Sequence, residues 1–195
     1  KNVTDTTKDG YDKIVDLQFT HLLTQFNLKV SQNFEIDPDF NYYVTKVTIK
    51  GLSGSGIYMT TPYNGQFMER WEVDDASPLT IVKEYDTPQP LRDTNSTTPK
   101  VVLTVFGDGL MLLPQEIAAD GVEVVVDYIY DLTVDDDYTN GTPKQARGFI
   151  PSTTWESSKS INYSTSVSDK SNITFSQPTI EPWGAPQTGG TIIIK

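Results

Sequence analysis

The feature that most constrains the fold of this chain is a long run in which apolar and polar residues alternate. In GVEVVVDYIYDLTV, residues 121–134, every second residue from Val122 to Val134 is aliphatic or aromatic. The residues between them are mostly polar, as at Glu123 and Asp127. Successive side chains of a strand point to opposite faces, so a period of two indicates a strand with one buried face. The run predicts one long, half-exposed antiparallel strand.

Shorter runs with the same period recur along the chain. Residues 15–21 alternate, the phase slips near Leu23, and the alternation resumes with Phe26, Leu28 and Val30. Such a slip predicts a bulge or corner between two extended stretches. No part of the sequence has a sustained helical period, and residues 115–120 are the one stretch that could form a helical turn. The other candidate strands are residues 43–50, 99–106, 160–167, 172–175 and 191–195.

Three segments predict the connections between these strands. GLSGSG, residues 51–56, is expected to be a glycine turn, and residues 83–100, which contain three prolines, a long surface loop. Residues 135–144 predict a second loop. Eight or more short strands separated by turn signals are typical of an all-β sandwich of Greek-key type.

Charge and residue types exclude several classes of function. The chain carries 26 acidic and 15 basic residues, a net charge of −11, and its arginines, Arg70, Arg92 and Arg147, are far apart. Nucleic-acid binding needs a clustered basic surface, which this sequence lacks. No stretch approaches the roughly 18 apolar residues of a membrane-spanning helix. There is no cysteine, which excludes disulfides and thiol catalysis. We therefore expect neither a nucleic-acid partner nor a membrane-spanning protein.

Residues that could carry catalysis are few. The single histidine, His21, is in phase with Leu17 and Phe19, so it is predicted to be a core residue rather than a catalytic base or a metal ligand. No G-x-S-x-G nucleophile motif is present, and no pair of carboxylates is singled out for glycoside hydrolysis, although distant residues could form one. We therefore predict a non-enzymatic protein without a cofactor.

Two further groups of residues have alternative interpretations. The acidic run from Asp135 to Asp137, followed by Asn140, could supply oxygen ligands to calcium, but its spacing does not match an EF-hand, and a solvated turn is favoured. Trp71, Trp155 and Trp183 fall near predicted strand ends. We expect these tryptophans to cover the open edges of the sandwich core rather than to stack on a ligand.

Three landmarks resemble the fimbrillin family of Bacteroidota, the subunits of type V pili. VDLQFTHLLTQFNLKV, residues 15–30, is similar to the family's L-x-F-x-H-x-L strand pair, and MLLPQ, residues 111–115, resembles its apolar Pro-Gln segment before a long alternating strand. Residues 153–183 resemble its W-x-x-G-K-x-x-x-Y pattern and its ending in I-x-F-x-P-x-I-x-x-W. The landmarks cover residues 14–183, with Ser158 where the family often carries glycine.

The resemblance implies an antiparallel Greek-key (transthyretin-like) β-sandwich over residues 14–183. A flexible N-terminal segment, residues 1–13, would precede it, and residues 184–195 would form an assembly strand or a closing strand. The implied function is a structural subunit of a cell-surface fimbria that joins copies of itself or related pilins. Its precursor would be a lipoprotein exported across the outer membrane, and we expect an N-terminal segment to have been cleaved. The alternative is a fimbrillin-like surface lipoprotein or tip adhesin that binds a glycan or a host protein.

The last residues, GGTIIIK, are the candidate assembly strand. Family members are thought to polymerise by donating a strand from one subunit into a groove of the next, and Thr191, Ile192, Ile193 and Ile194 match that role. Because side chains alternate, Ile192 and Ile194 would enter a one-sided groove together, or Ile193 alone. The alternative is that the same residues form the last strand of their own domain.

One modification site also follows from the resemblance. Asp5, Thr6 and Thr7 fit the short pattern that Bacteroidota use for O-glycosylation of exported proteins. Thr6 is therefore the candidate glycosylated residue.

Overall fold

The fold is known from a computed structural model that describes residues 21–33, 40–92, 101–131, 138–168 and 172–184. These ranges contain eleven strands and no helix, which confirms the all-β prediction. The strands, in chain order, are β1 (Thr24–Gln32), β2 (Asn41–Tyr63), β3 (Gln66–Pro90), β4 (Val102–Thr104), β5 (Leu110–Leu112), β6 (Glu116–Ile117), β7 (Glu123–Asp131), β8 (Thr142–Phe149), β9 (Thr153–Thr154), β10 (Lys159–Val167) and β11 (Thr179–Pro182).

The strands form two main sheets and one small one. The first sheet has the order β11-β10-β1-β4, with β5 also paired to β1; the second has the order β3-β2-β7-β8; β6 pairs with β9. Pairing between the named strands is antiparallel except between β1 and β10, which run parallel with Phe26 opposite Ile161. The sequence patterns predicted the antiparallel ladders but not this parallel pair in the middle of the first sheet.

The inner faces of the two sheets share one hydrophobic core. Alternate residues of each central strand point into it, as the period-two patterns predicted, and each fully buried aliphatic side chain stabilises the fold by about 1.5–3 kcal/mol. The buried residues from the first sheet and the adjoining loops include Phe26, Leu28, Val30, Val105, Trp155, Ile161 and Tyr163, and those from the second include Val44, Val47, Ile49, Val124, Val126 and Tyr128.

The inner face of β7 is buried, as its sequence predicted, but the outer face is less exposed than expected, because Val125 there is 3% exposed. Glu123 and Asp127 on the outer face form ion pairs with Lys50 (3.5 Å) and Lys46 (3.2 Å) of β2. Cross-strand pairs of opposite charge add to the stability of a sheet. The described part of this strand ends at Asp131, so predicted members beyond it lie outside the described residues.

The predicted glycine turn at residues 51–56 is wrong, because β2 continues through it. Pairing with β3 is maintained across two register shifts, between Lys50 and Leu52 and between Ser53 and Ser55. Gly51 and Gly54 lie at these two register shifts. Gly51 has φ +91°, and a Cβ there would lie 2.2 Å from the Gly121 carbonyl oxygen, so this bulge requires glycine.

The predicted loop at residues 83–100 is wrong for residues 83–90, which belong to β3. Its prolines misled the prediction because β3 is the edge of its sheet, where proline is tolerated. Residues 93–100 lie outside the described residues. The second predicted loop is shorter than expected, because β8 already begins at Thr142.

Two smaller predictions also differ from the structure. Residues 115–120 form no helical turn, because Glu116 and Ile117 pair with β9 as the short strand β6. The predicted strand at residues 172–175 is reduced to isolated bridges, between Asn172 and Arg147 and between Phe175 and Thr165. This segment therefore crosses between the two sheets instead of extending either one.

Candidate assembly edge and binding cleft

Within the described ranges, strand β11 is an edge strand of the first sheet. Ile180 lies directly opposite Ile161 of β10, and residues in register share a face of the sheet. Ile161 is fully buried, yet 46% of Ile180 is exposed. Among the described residues, the core-facing side of the sandwich is therefore only partly covered at Ile180.

The edges of the second sheet are better protected. On β3, Pro78, Pro88 and Pro90 lack the N–H that an added strand would need, and Lys83 stands opposite the buried Val47, on the core-facing side. Prolines and inward-facing lysines are devices that block edge-to-edge pairing. The β3 edge of the second sheet is thus protected by residues of β3 itself.

The β8 edge is protected by another part of the chain. The Ile173 N–H donates to the Arg147 carbonyl oxygen (2.8 Å), and Asn172 bridges to Arg147. At Gly148 an added Cβ would lie 2.2 Å from the Ile173 carbonyl oxygen, so the covering segment passes very close to the strand. No described segment lies against the outer side of β11, although Pro182 of this four-residue strand also lacks an N–H.

An apolar groove of about 430 Å³ lies beside the end of β11. Its lining includes strongly exposed apolar side chains, with Met111 67% and Leu22 41% exposed. Exposed apolar surface of this kind marks sites of interaction. The groove is lined by His21, Leu22, Leu23, Trp71, Met111 and Trp183.

His21 lies in the wall of this groove, so its prediction as a core residue is wrong. The side chain is exposed, and its imidazole stacks on the Trp183 indole with ring centroids 4.0 Å apart and planes inclined by 17°. The buried alternation begins only at Thr24, where β1 starts. Because the phase of the pattern slips at Leu23, the apolar phase that includes His21 does not continue into the core.

Ser158 joins the three chain segments that meet at the groove. Its N–H donates to the Leu23 carbonyl oxygen (3.0 Å), its hydroxyl donates to the His21 carbonyl oxygen (2.6 Å), and its own carbonyl accepts the Trp183 N–H (2.8 Å). The backbone is left-handed here, with φ +61°. This conformation favours glycine, which gives a physical reason for the glycine in the family pattern.

The outer half of the β2–β3 hairpin, residues 53–78, extends past the pairing of β2 with β7, which ends at Lys50. We call this half the hairpin arm. Two hydrogen bonds hold the arm to the sandwich: Ser53 N–H to Gln115 Oε1 (2.9 Å) and Trp71 Nε1–H to the Leu22 carbonyl oxygen (2.8 Å). The arm is thus fixed at its base and along one strand.

A cleft of about 770 Å³ separates the hairpin arm from the end of the sandwich. On the arm side it is lined by Tyr58, Glu69, Arg70 and Trp71, with the Tyr58 and Trp71 rings 5.4 Å apart and inclined by 52°. Removal from water, together with a hydrogen bond and the negative charge of Glu69, raises the pKa of Tyr58. The opposite wall includes Pro114, Gln115, Glu116, Thr154, Trp155, Ser157 and Ser158.

The prediction that the tryptophans cover the core is right for one of the three. Trp155 is 1% exposed, lies 5.3 Å from the Phe26 ring, and donates its indole N–H to the Tyr163 hydroxyl (3.2 Å). Trp71 and Trp183 are instead half-buried and line the cleft and the groove. Burial raises the pKa of Tyr163 to about 12, and the bond from Trp155 acts against this rise.

Several predicted site residues lie outside the described residues. They are the assembly strand, residues 191–194, the possible O-glycosylation site Thr6 and the acidic run at residues 135–137. Across the described ranges there is no cluster of three or more metal-ligating side chains. Those same ranges contain no helix that is long and apolar enough to cross a membrane.

The hairpin arm is not among the elements predicted from the sequence, although the sequence contains one signal for it. Asn64 (φ +49°) and Gly65 (φ +77°) form a two-residue turn between paired Tyr63 and Gln66. Two consecutive positive φ angles define the type I′ turn, for which Asn-Gly is a favoured pair. The aromatic and β-branched residues on both sides of this dipeptide favour strands, so the segment predicts the hairpin but not the cleft.

Comparison with known proteins gives one family and several related folds. The family described as fimbrillin-like matches residues 2–183. A fimbrial protein from Bacteroides vulgatus is similar at 15% identity and a TM-score of 0.49, over 85% of this chain and 55% of its own. A candidate cell adhesion protein from Bacteroides uniformis has 14% identity and a TM-score of 0.39, over 85% of this chain and 52% of its own. A second such protein, from Bacteroides ovatus, has 14% identity and a TM-score of 0.39, over 86% of this chain and 47% of its own.

The chain spans about half the length of these three solved structures. No curated protein sequence matches it.

Proposed function

The chain belongs to the fimbrillin-like family, and from this premise we propose that it is a structural subunit of a bacterial cell-surface fimbria, of the type V pilus class, that polymerises by β-strand donation. The family comprises structural and adhesive proteins rather than enzymes. The partner in the proposed polymer is another copy of the chain or a related pilin. A lipoprotein precursor exported across the outer membrane is part of this proposal.

The observation that carries the proposal is the partly covered core at the β11 edge of the described residues. Ile180 is 46% exposed although its register partner Ile161 is fully buried. A strand added beside β11 would cover Ile180 and could pair with its backbone, although Pro182 has no N–H to offer it. Strand addition of this kind obtains affinity from main-chain hydrogen bonds and specificity from alternate side chains.

The donated strand is assigned to residues 191–194 of a neighbouring subunit. Its isoleucines have high strand propensity, and each would contribute about 1.5–3 kcal/mol on full burial. The groove beside Trp183 offers apolar surface next to the same edge. Ile192 and Ile194 would enter the core side together, and Ile193 would face away, or the reverse.

Deletion of residues 189–195 tests the assignment of the donor. We expect the truncated chain to remain folded, with an unchanged far-UV circular dichroism spectrum, and to form no polymers in electron micrographs or in size-exclusion chromatography. Loss of folding would show that the tail closes its own domain, which contradicts donation.

Single charged substitutions in the tail provide a matched comparison. Ile192→Asp and Ile193→Asp place the same charge on opposite sides of the strand, so one should prevent polymerisation and the other should have a much smaller effect. Equal effects of both variants would contradict a strand inserted at a one-sided edge, since a buried unpaired carboxylate is strongly unfavourable only on the buried side.

A second role, as a fimbrillin-like surface lipoprotein or tip adhesin, is supported by a different observation. The cleft under the hairpin arm combines half-buried aromatic rings with charged side chains. Such a surface is suited to a ligand rather than to a repeating subunit contact.

A further inference from the structure

We propose that the cleft between the hairpin arm and the sandwich binds a neutral oligosaccharide. The inference rests on the cleft and does not depend on polymerisation. Its volume of about 770 Å³ falls within the range of roughly 300–1,000 Å³ that is usual for small-ligand sites. A site of this size, with aromatic and charged groups on one wall, is suited to a ligand that has both apolar and hydrogen-bonding surfaces.

The aromatic wall of the cleft fits the apolar faces of sugar rings. Trp71 and Tyr58 lie 5.4 Å apart at an angle of 52°, which presents two ring surfaces along the arm. The faces of aromatic rings carry negative charge density, and the C–H groups on one face of a pyranose ring are weakly positive, so the two surfaces attract each other. The ring pair can therefore contact more than one sugar unit.

Trp71 is held in place before any ligand binds. Its indole N–H donates to the Leu22 carbonyl oxygen (2.8 Å), which fixes the side chain of the arm against the start of β1. The same carbonyl accepts the Ser157 hydroxyl (3.1 Å). Because the ring is already ordered, little conformational entropy is lost when a ligand packs on it.

Planar polar side chains beside the rings fit sugar hydroxyls. Glu69 lines the cleft on the arm, and Gln115 and Glu116 line it on the sandwich. Hydroxyl groups both donate and accept hydrogen bonds, so a sugar can donate to the Glu69 carboxylate, which shares a face of the arm with Trp71. Gln115 is itself oriented, because its Oε1 accepts the Ser53 N–H (2.9 Å) and its Nε2 donates to the Leu113 carbonyl oxygen (3.2 Å).

The charge of the cleft favours neutral over acidic glycans. Three acidic residues, Glu69, Asp75 and Glu116, belong to its lining, whereas Arg70 lies on the face of β3 opposite to Glu69 and Trp71. The whole chain carries a net charge of −11, which repels anions over a longer range. A sialylated or uronic-acid glycan would therefore bind more weakly than a neutral glycan of the same length.

The test uses the 195-residue chain with three trisaccharide probes: cellotriose and mannotriose, which are neutral, and sialyllactose, which is acidic. Binding is followed by saturation-transfer NMR and by tryptophan fluorescence. We expect at least one neutral probe to bind with a dissociation constant in the millimolar range or below, and sialyllactose to bind at least about tenfold more weakly. Failure of both neutral probes, or equal binding of sialyllactose, would overturn the proposal.

Three variants locate the binding site. Glu69→Gln keeps an acceptor for Tyr58 but removes the charge, and should weaken binding by about tenfold, in line with the loss of one charge-assisted hydrogen bond. Trp71→Ala should abolish detectable binding. Tyr63→Ala alters a 61% exposed aromatic residue at the tip of the same arm, outside the cleft, and should leave binding unchanged.

Trp71→Ala also removes the anchor of the arm, so Glu69→Gln decides the result if that variant misfolds. Unchanged binding in Glu69→Gln and Trp71→Ala, or equal loss in Tyr63→Ala, would contradict a site in the cleft. Deletion of residues 189–195 should leave binding intact, so a failure of the polymerisation proposal would not be mistaken for a failure of this one.

Discussion

The two halves of the β2–β3 hairpin share one hydrogen-bonded ladder but differ in what surrounds them. In the inner half, residues 41–52 of β2 pair with both β3 and β7 over most of their length and contribute buried side chains to the core. In the hairpin arm, Ile57, Tyr63 and Met68 are 65%, 61% and 58% exposed. The comparison shows that a strand can extend well beyond the core when a strong turn closes the hairpin and a glycine bulge redirects it.

The same substitution in each half should have very different effects on stability. Ile49→Ala removes a fully buried side chain and should lower the free energy of unfolding by about 2–5 kcal/mol. Ile57→Ala, on the same strand but 65% exposed, should change it by less than about 0.5 kcal/mol. Urea denaturation measures both. Similar losses for the two variants would mean that the arm is as tightly packed as the inner half, which would remove the distinction.

The bulge that separates the two halves should depend on Gly51. Gly51→Ala places a Cβ 2.2 Å from the Gly121 carbonyl oxygen at φ +91°, and should cost about 3 kcal/mol. Gly54→Ala is the matched control, because its φ is not left-handed and its nearest contacts are 3.2 Å and longer. Denaturation midpoints of the two variants test this. A mild effect at Gly51 would show that the bulge can shift without affecting the fold.

Two tyrosines should distinguish the sandwich core from the hairpin arm at alkaline pH. Burial raises the pKa of Tyr163 from 10.0 to about 12, so the folded state holds this proton more tightly than the unfolded state. Stability from this group is complete below about pH 10 and is lost as the pH rises to about 12, by roughly 2–3 kcal/mol. The free energy of unfolding should therefore fall steeply over this range.

Two variants test whether Tyr163 causes this loss of stability at alkaline pH. Tyr163→Phe should flatten the fall between pH 10 and 12, whereas Tyr58→Phe, in the half-buried ring of the arm, should leave it nearly unchanged. Unfolding is followed by circular dichroism at fixed urea concentrations. A steep fall that persists in Tyr163→Phe would show that another group controls alkaline stability.

The sequence predicted the core strands of the sandwich better than the hairpin arm. Period-two alternation identified Phe26, Leu28 and Val30, and also Val47 and Ile49, all of which are fully buried. The alternation predicted these residues because a strand with one buried face needs an apolar residue at every second position. The same rule placed Glu123 and Asp127 on the outer face of β7, although that face also carries the buried Val125.

The features that were missed depend on context that is not local. Glycines and prolines in residues 51–56 and 83–90 predicted breaks, yet they lie at a bulge and on an edge strand, which only the sheet order reveals. The parallel pairing of β1 with β10 joins segments more than a hundred residues apart. The cleft follows from the fold-back of the arm, so its lining could not be assembled from the sequence alone.

The smallest expected effect concerns the place where the arm is joined to the sandwich. Ser158 is left-handed (φ +61°), and its hydroxyl donates to His21 (2.6 Å) in the segment that also anchors Trp71. Ser158→Ala loses the hydrogen bond but keeps the strained backbone, so it should be destabilised by about 1 kcal/mol. Ser158→Gly also loses the bond but relieves roughly 1 kcal/mol of strain, so its stability should match that of the natural chain. Urea denaturation distinguishes the two. If Ser158→Gly is less stable than Ser158→Ala, relief of backbone strain does not explain the glycine of the family pattern.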